Sequence, residues 1–425
     1  MRVRALPSAT PLLEAVGDEA RVHLVGGAVR DLLLTWSDEA GVGGREQTLD
    51  DSRRQLRDLD LVAEGDVAAL AARLGGRYLA HERFGTAKVT LDGHGYDLAM
   101  ARRETYAEPG ALPDVSPATL GEDLLRRDFT VNAIAITLGG PRAGELTAAP
   151  NALEDLRGHR LRVLHDRSFR DDPTRLIRLS RYASRLGFEV EPGTLALALV
   201  AVAGDALGTV SGARIGAELR LLAREEDPVA ALAALRDLGI DRWIHPRFGI
   251  SDPGLARRSL ALLAPDGRRD MLVLAVAFSA LPREELAPLL DAFAFDAESR
   301  DLIAATAGGA GPAAAALVAA TRPSEIAAAL AGSSVELAAL AGALGPADQA
   351  REWLDDLRHV HLEIDGHELI GAGIPEGPAI GRGLRAALAA KLDGRIAGHD
   401  DELAEAVRAA DDSGWGAAGS RGGVL

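Results

Sequence analysis

The chain has 425 residues, 47% apolar and 26% charged, with a formal net charge of −16 and no cysteine. At about 150 residues per domain, that length implies about three domains, each able to bury a core. The missing cysteines exclude disulfides, cysteine zinc sites, iron–sulfur clusters and thiol nucleophiles. The longest apolar run, Met271–Leu281, is 11 residues with a serine inside, well short of the ~20 that cross a bilayer. The N-terminus carries no sustained apolar stretch, so the expectation is a cytoplasmic protein without a secretory signal.

The first ~145 residues read as α/β. Val22–Val25 is a short apolar strand that ends at Gly26-Gly27, and a helical pattern follows over Val29–Leu34. Leu59–Val62, Lys88–Leu91 and Tyr96–Met100 read as further strands, with an Asp92-Gly93 turn between the last two and a helix over Asp66–Leu74. Thr130–Ile136 fits either strand or helix. Between Leu34 and Arg57 lies a Gly-rich, charged stretch that reads as a mobile loop or insertion. From Asp171 to Arg408 the pattern is almost wholly helical, and the Gly-rich tail Ser413–Val424 reads as frayed. Arg157–Arg185 holds nine arginines against three aspartates, a local charge of +6 in an acidic chain. Lysine occurs only as Lys88 and Lys391.

Asp58 and Asp60 alternate with leucines in DLDLV, so both carboxylates leave one face of a strand. Side by side they repel unless a cation lies between them, and oxygen ligands suit Mg²⁺; the other reading is a solvated strand end. Asp97 sits on another predicted strand and either joins that pair or salt-bridges Arg102 or Arg103. Three converging carboxylates are the hardware of two-metal phosphoryl or nucleotidyl transfer. The Gly26-Gly27 turn opens a helix whose N–H groups can approach phosphate, with Arg30 and Asp31 close behind, or it is plain punctuation. It is neither a Walker loop nor GxGxxG. Arg126-Arg127-Asp128 clamps phosphate, stacks on a base, or is surface charge. Asp172-Pro173 is a helix N-cap and N1 pair. Asp172 and Arg175 together can also read a base edge. Arg178 and Arg181 continue a row that otherwise reads as a solvated face. Arg214 and Glu218 have i,i+4 spacing and read as a helix pair.

In order the chain contains LVGGAVRDLLL, DLDLV, RFGTAKV, YDLAMARRETY, LLRRDFTVNAIAI, ALEDLRGHRLRVL and DDPTRLIRLSRYASRLGF. This succession resembles the class II tRNA nucleotidyltransferase and bacterial poly(A) polymerase family. The likeness runs from about Val22 to Phe188, broken by Thr35–Arg57. It continues more weakly through ARIGAEL, DPVAALAALRDLGI and IDGHELIGAGIPEGPAIGRGL.

The resemblance implies an α/β nucleotidyltransferase head, a small mixed sheet with flanking helices, followed by an all-α neck, body and tail. The corresponding spans are 1–146, 147–250 and 251–425. It implies that Asp58, Asp60 and Asp97 bind Mg²⁺. It assigns Gly26, Gly27 and Arg30 to the triphosphate turn, and Arg126, Arg127 and Asp128 to the nucleotide sugar and phosphates. Asp172 and Arg175 would select the base without a template, Arg178 and Arg181 would bind nucleotide, and Arg214 and Glu218 would be structural.

The implied activity is addition of CTP- and ATP-derived nucleotides to a tRNA 3′ end, with contacts to the acceptor stem and no membrane. Poly(A) synthesis and CC-only or A-only addition are the alternatives within the family. A non-catalytic RNA-binding relative, or an enzyme modifying a small molecule or protein, are the rivals outside it. Two features depart from the pattern. Asp171-Asp172 replaces the usual Glu-Asp, and the connection from Gly26-Gly27 to DLD is long. His399-Asp400 alone is too little for a His-rich phosphohydrolase domain, so none is expected.

Overall fold

The computed structural model describes residues 8–39, 59–81 and 85–411. Asp58, the Ser413–Val424 tail and all but the first residues of the Thr35–Arg57 stretch lie outside them. Two compact units emerge: Met1–Leu219 with Glu225–Asp227 and Ala234–Ile244, and Arg220–Arg224 with Pro228–Ala233 and His245–Leu425.

The first unit contains a seven-stranded mixed sheet in the order β3-β4-β5-β2-β1-β8-β9. The strands are β1 Val22–Val25, β2 Leu59–Ala63, β3 Arg77–His81, β4 Thr86–Leu91, β5 His94–Met100, β6 Arg102–Thr105, β7 Asp114–Pro117, β8 Ile134–Thr137 and β9 Leu146–Ala148. β6 and β7 form a separate hairpin. All four β1 residues are buried, as befits an apolar run between two partners. On β2 and β5 the alternation holds where it matters. Leu59, Leu61, Tyr96 and Leu98 are buried, while Asp60 and Asp97 point outward.

The helix after the glycine turn spans Gly27–Glu39. It therefore overrides the reading of a loop beginning at Thr35, because its first turns pack on the sheet and the helix simply propagates. Asp66 caps Val67–Leu74 by accepting the Ala69 N–H, and a Thr119–Glu122 capping box opens Leu120–Leu125. The ambiguous Thr130–Ile136 segment is both turn and strand: a 3₁₀ turn over Thr130–Asn132, then β8.

Thr174–Leu186 is helical and ends at Gly187 with φ 63° and ψ 27°, a left-handed cap that glycine adopts without strain. Its start falls one residue later than the Asp172-Pro173 signal placed it, yet Asp172 still accepts the Thr174 N–H at 3.0 Å. The helical stretch is interrupted by one short strand, Glu189–Val190, paired in parallel with Arg160–Leu161.

The second unit is helical. Met271–Phe278 of the Arg269–Phe278 helix are all buried, which explains the long apolar run as core. Ala297–Ala319 alone among the described helices is long and apolar enough to span a bilayer. It packs against Val335–Ala343 and Arg269–Phe278 and buries Ile303, Ala310 and Leu317. Near the C-terminus, Leu369, Ala387 and Ala406 form a small core beside a buried Glu402 that takes Lys391 Nζ at 2.6 Å.

Candidate active site

Asp60 and Asp97 are direct register partners on the parallel strands β2 and β5. Cross-strand partners share a face, so both carboxylates open to the same side of the sheet, where they line a cleft of about 410 Å³. Lys88 is the antiparallel partner of Asp97 on β4, and its Nζ lies 3.9 Å from Asp97 Oδ1. This corrects the ion-pair reading of Asp97: Arg102 turns to Glu104 and Arg103 to Glu122 instead. Among the described residues no three His, Asp or Glu side chains gather at one point. The outward pair of acids is still an oxygen donor set of the kind a hard divalent cation takes, so the residues present fit such an ion.

Val25, Arg126 and Arg127 complete the near wall of the cleft. The two arginines are held by Asp123, a fully buried acid one helical turn upstream. Asp123 Oδ1 accepts from Arg126 Nε at 2.9 Å, and its Oδ2 accepts from Arg127 Nη2 at 3.0 Å. Arg126 Nη1 also reaches Glu104 Oε1 at 2.9 Å. The i,i+3 and i,i+4 spacing of Asp123 was a readable signal; Glu104 had none. Arg126 and Arg127 are thus neither free surface charge nor fully buried. They stay partly open toward the cleft, at 19% and 17% exposure.

Gly26 has φ +71°, and a Cβ there would sit 3.1 Å from Arg127 Nη1. The left-handed conformation favours glycine, and a Cβ would press on the Arg127 guanidinium. Gly27 begins the helix, and the Arg30 guanidinium lies beneath it. Arg30 is only 1% exposed. Its Nε donates to Asp31 at 2.7 Å, its Nη1 to Asn132 Oδ1 at 2.6 Å, and the guanidinium lies over Tyr182. It supports the turn from the inside.

From Asn132 a buried chain of polar contacts continues. Asn132 Nδ2 donates to Asp128 Oδ1 at 3.0 Å, and Asp128 Oδ2 pairs with Arg178 Nη2 at 2.7 Å. Burial opposes the Asp128 charge, but Arg178, Asn132 and the Phe129 N–H outweigh it and hold the carboxyl below its ordinary range. Asp128 in turn pushes the Arg178 pKa up. Asp128 is 5% exposed, so the structure gives it a joining role between the glycine-turn helix and the Thr174–Leu186 helix.

The arginine row is not a solvated face. Arg175 and Arg181 are buried, because the acids and carbonyls that accept from them come from distant segments. Arg175 Nη1 donates to Ser168 Oγ at 2.6 Å and Nη2 to the Arg126 carbonyl at 2.7 Å. Arg181 meets Glu225 at 3.3 Å and Glu218 at 3.6 Å. Burial pushes the Glu218 carboxyl up, against the pull of Arg178 and Arg181. Arg214 and Glu218 do not form the expected pair. Arg214 Nη2 goes to Asp172 Oδ1 at 2.7 Å and Nη1 to the Gly110 carbonyl at 2.9 Å. Asp172 keeps 14% exposure.

Residues 22–162 match the poly A polymerase head domain family. The chain is 35% identical over 439 residues to the A-adding tRNA nucleotidyltransferase of Geobacter sulfurreducens, covering 94% of this chain and 46% of that one. It is 40% identical over 234 residues to the CC-adding tRNA nucleotidyltransferase of Deinococcus radiodurans, covering 54% and 56%. The chain therefore spans about half the length of these curated relatives. Among solved structures it is similar to the Thermotoga maritima CCA-adding enzyme complexed with tRNA, at 27% identity and a TM-score of 0.69, covering 94% of each chain.

Proposed function

We propose, since residues 22–162 form a head domain of the poly A polymerase family, that this chain transfers nucleotides from CTP or ATP to the 3′ end of tRNA without a template. The observation that carries the reading is the Asp60–Asp97 register pair facing Arg126 and Arg127 across one cleft. Asp60 and Asp97, with Asp58 next to β2, would hold Mg²⁺. When bound, such ions make a 3′-hydroxyl more acidic and neutralise the charge of a leaving pyrophosphate.

The chain's own residues do the rest. The N–H groups at the start of Gly27–Glu39 present positive dipoles to a triphosphate, and Arg30 holds that turn in shape. Arg126 and Arg127 face phosphate or ribose oxygens from the wall of the cleft, oriented by Asp123 before substrate arrives. Asp172 and Arg175 choose the base, Asp172 by its exposed edge and Arg175 by fixing the helix to the Arg126 carbonyl. Arg178 and Arg181 lock that helix in place, the one through Asp128 and the other through Glu218 and Glu225. A wrong base that leaves a buried polar group unpaired costs about 1–3 kcal/mol, roughly 5–150-fold. Residues 1–146 would be the catalytic head, 147–250 the neck, and 251–425 the RNA-binding body and tail, in an enzyme of the cytoplasm.

Completion of CCA is the broad reading. A-only addition is the narrower one, favoured by the A-adding name of the Geobacter relative. Purified protein is offered tRNA transcripts ending before CCA or after CC, with CTP and ATP supplied separately, and products are resolved on a denaturing gel. CCA completion extends both substrates, and A-only addition extends only the CC-ended one. Long A tails indicate poly(A) synthesis, and no extension of either substrate refutes the reading.

A further inference from the structure

The chain uses arginine for nearly every basic position, yet Lys88 faces Asp97 in the cleft. The other lysine, Lys391, is committed to a buried Glu402. Lys88, Asp97 and Asp60 are successive register partners on β4, β5 and β2, so they form one row across the outward face of the sheet. The ammonium stands 3.9 Å from Asp97, with both side chains about two-thirds exposed. That distance gives charge neutralisation without a close hydrogen bond. A guanidinium here would fork onto both Asp97 oxygens. A lysine is a compact point charge on a mobile stem and can withdraw.

We infer that Lys88 is a positioning residue for the site proposed above: a tethered cation that neutralises Asp97 and yields to a divalent ion, thereby setting how tightly that ion is held. The inference rests on the assignment of Asp60 and Asp97 as metal ligands. Exposed geometry keeps the effect small, and salt screens it further.

The test is Mn²⁺ binding to the full, metal-stripped chain at low ionic strength, read as loss of the free-ion EPR signal without nucleotide or RNA. Lys88→Met is expected to tighten Mn²⁺ binding about 3–10-fold, the range one charge at this distance sets in a water-like dielectric. Lys88→Arg is expected to weaken it below wild type. If Lys88→Met binds no tighter than wild type, the inference is overturned. Asp97→Asn separates the two readings. Mn²⁺ binding that this variant leaves intact takes down the metal assignment itself, and with it the role of Lys88. Binding that depends on Asp97 but ignores Lys88 overturns the lysine alone.

Discussion

Asp128→Asn is the sharpest probe of how the head is joined to the Thr174–Leu186 helix. The substitution keeps shape and removes charge. Asp128 Oδ1 accepts the Phe129 N–H at 2.8 Å and Asn132 Nδ2 at 3.0 Å, while Oδ2 faces Arg178 Nη2 at 2.7 Å. An amide has one accepting end, so either orientation sets NH₂ against a donor. Arg178 would also be left without its closest acid. Breaking a buried pair by removing one partner costs about 3–5 kcal/mol. In a unit of this size each kcal/mol moves the transition about 2–4 °C, so the expected drop is about 6–20 °C by calorimetry of the full chain. In an Arg178→Met background the same substitution is expected to cost far less, because no buried charge is stranded.

The carboxyl is held below its ordinary range, so its contribution is fully present above about pH 4 and lost only as pH falls through the lower folded value. The gap between wild type and Asp128→Asn is therefore constant from about pH 5 to 8 and closes in acid. A drop under about 1 kcal/mol, or full additivity with Arg178→Met, would refute the joining role.

Asp60→Ala is expected to abolish nucleotide incorporation while shifting stability by no more than about 0.5 kcal/mol, since the side chain leaves the sheet toward solvent; incorporation at the wild-type rate removes the metal assignment. Gly26→Ala places a Cβ at φ +71° and 3.1 Å from Arg127 Nη1. It should cost about 1–2 kcal/mol and raise the KM for nucleotide, and an unchanged KM means the turn does not touch the triphosphate. His23 is buried against Thr137, and burial pushes its pKa down despite the pull of Glu64. Below about pH 6.5 the unfolded chain takes up a proton that the folded head resists, so stability falls as pH falls. His23→Gln should flatten that slope between about pH 6.5 and 5 in thermal scans; parallel slopes in the two proteins count against it.

Four strands of the sheet, β1, β2, β4 and β5, were legible because their signals are local, whereas β3 and β9 were not read and β8 was ambiguous. Leucine and aspartate alternate in DLDLV, and period two alone puts Asp60 outward. Asp97 needed only the same rule on β5. What sequence spacing left open was which cation meets which acid. Arg214 lies four residues from Glu218, yet it bonds Asp172, 42 residues away. Asp128 and Arg178 meet only because two elements pack. Asn132 offers no local signal at all, though its two-sided amide is what links a buried cation to a buried anion. The direction of Arg30 was likewise undecidable from VGGAVRD. Helical spacing places it after the turn, and only packing against Tyr182 and Asn132 turns it inward.

That burial changes what the +6 segment can do. An isolated buried guanidinium is expensive, and the buried and half-buried ones of this segment are tolerated because each finds an acid or carbonyl. Arg162 takes Asp155, Arg178 takes Asp128, Arg181 takes Glu218 and Glu225, and Arg175 takes the Arg126 carbonyl. Of the nine arginines from Arg157 to Arg185, four are exposed, Arg157, Arg167, Arg170 and Arg185, and of these Arg167 meets Asp171 and Arg185 lies 4.0 Å from Glu225. Local net charge thus overstates the field this segment offers to a phosphate backbone. Most of its positive charge is paired with acids or carbonyls of the protein, and Arg175, Arg178 and Arg181 hold their helix against the strand-and-turn framework of the cleft. For the RNA binding proposed above, the charge that meets RNA, and with it the salt dependence of affinity, is then expected to come in good part from arginines elsewhere on the surface.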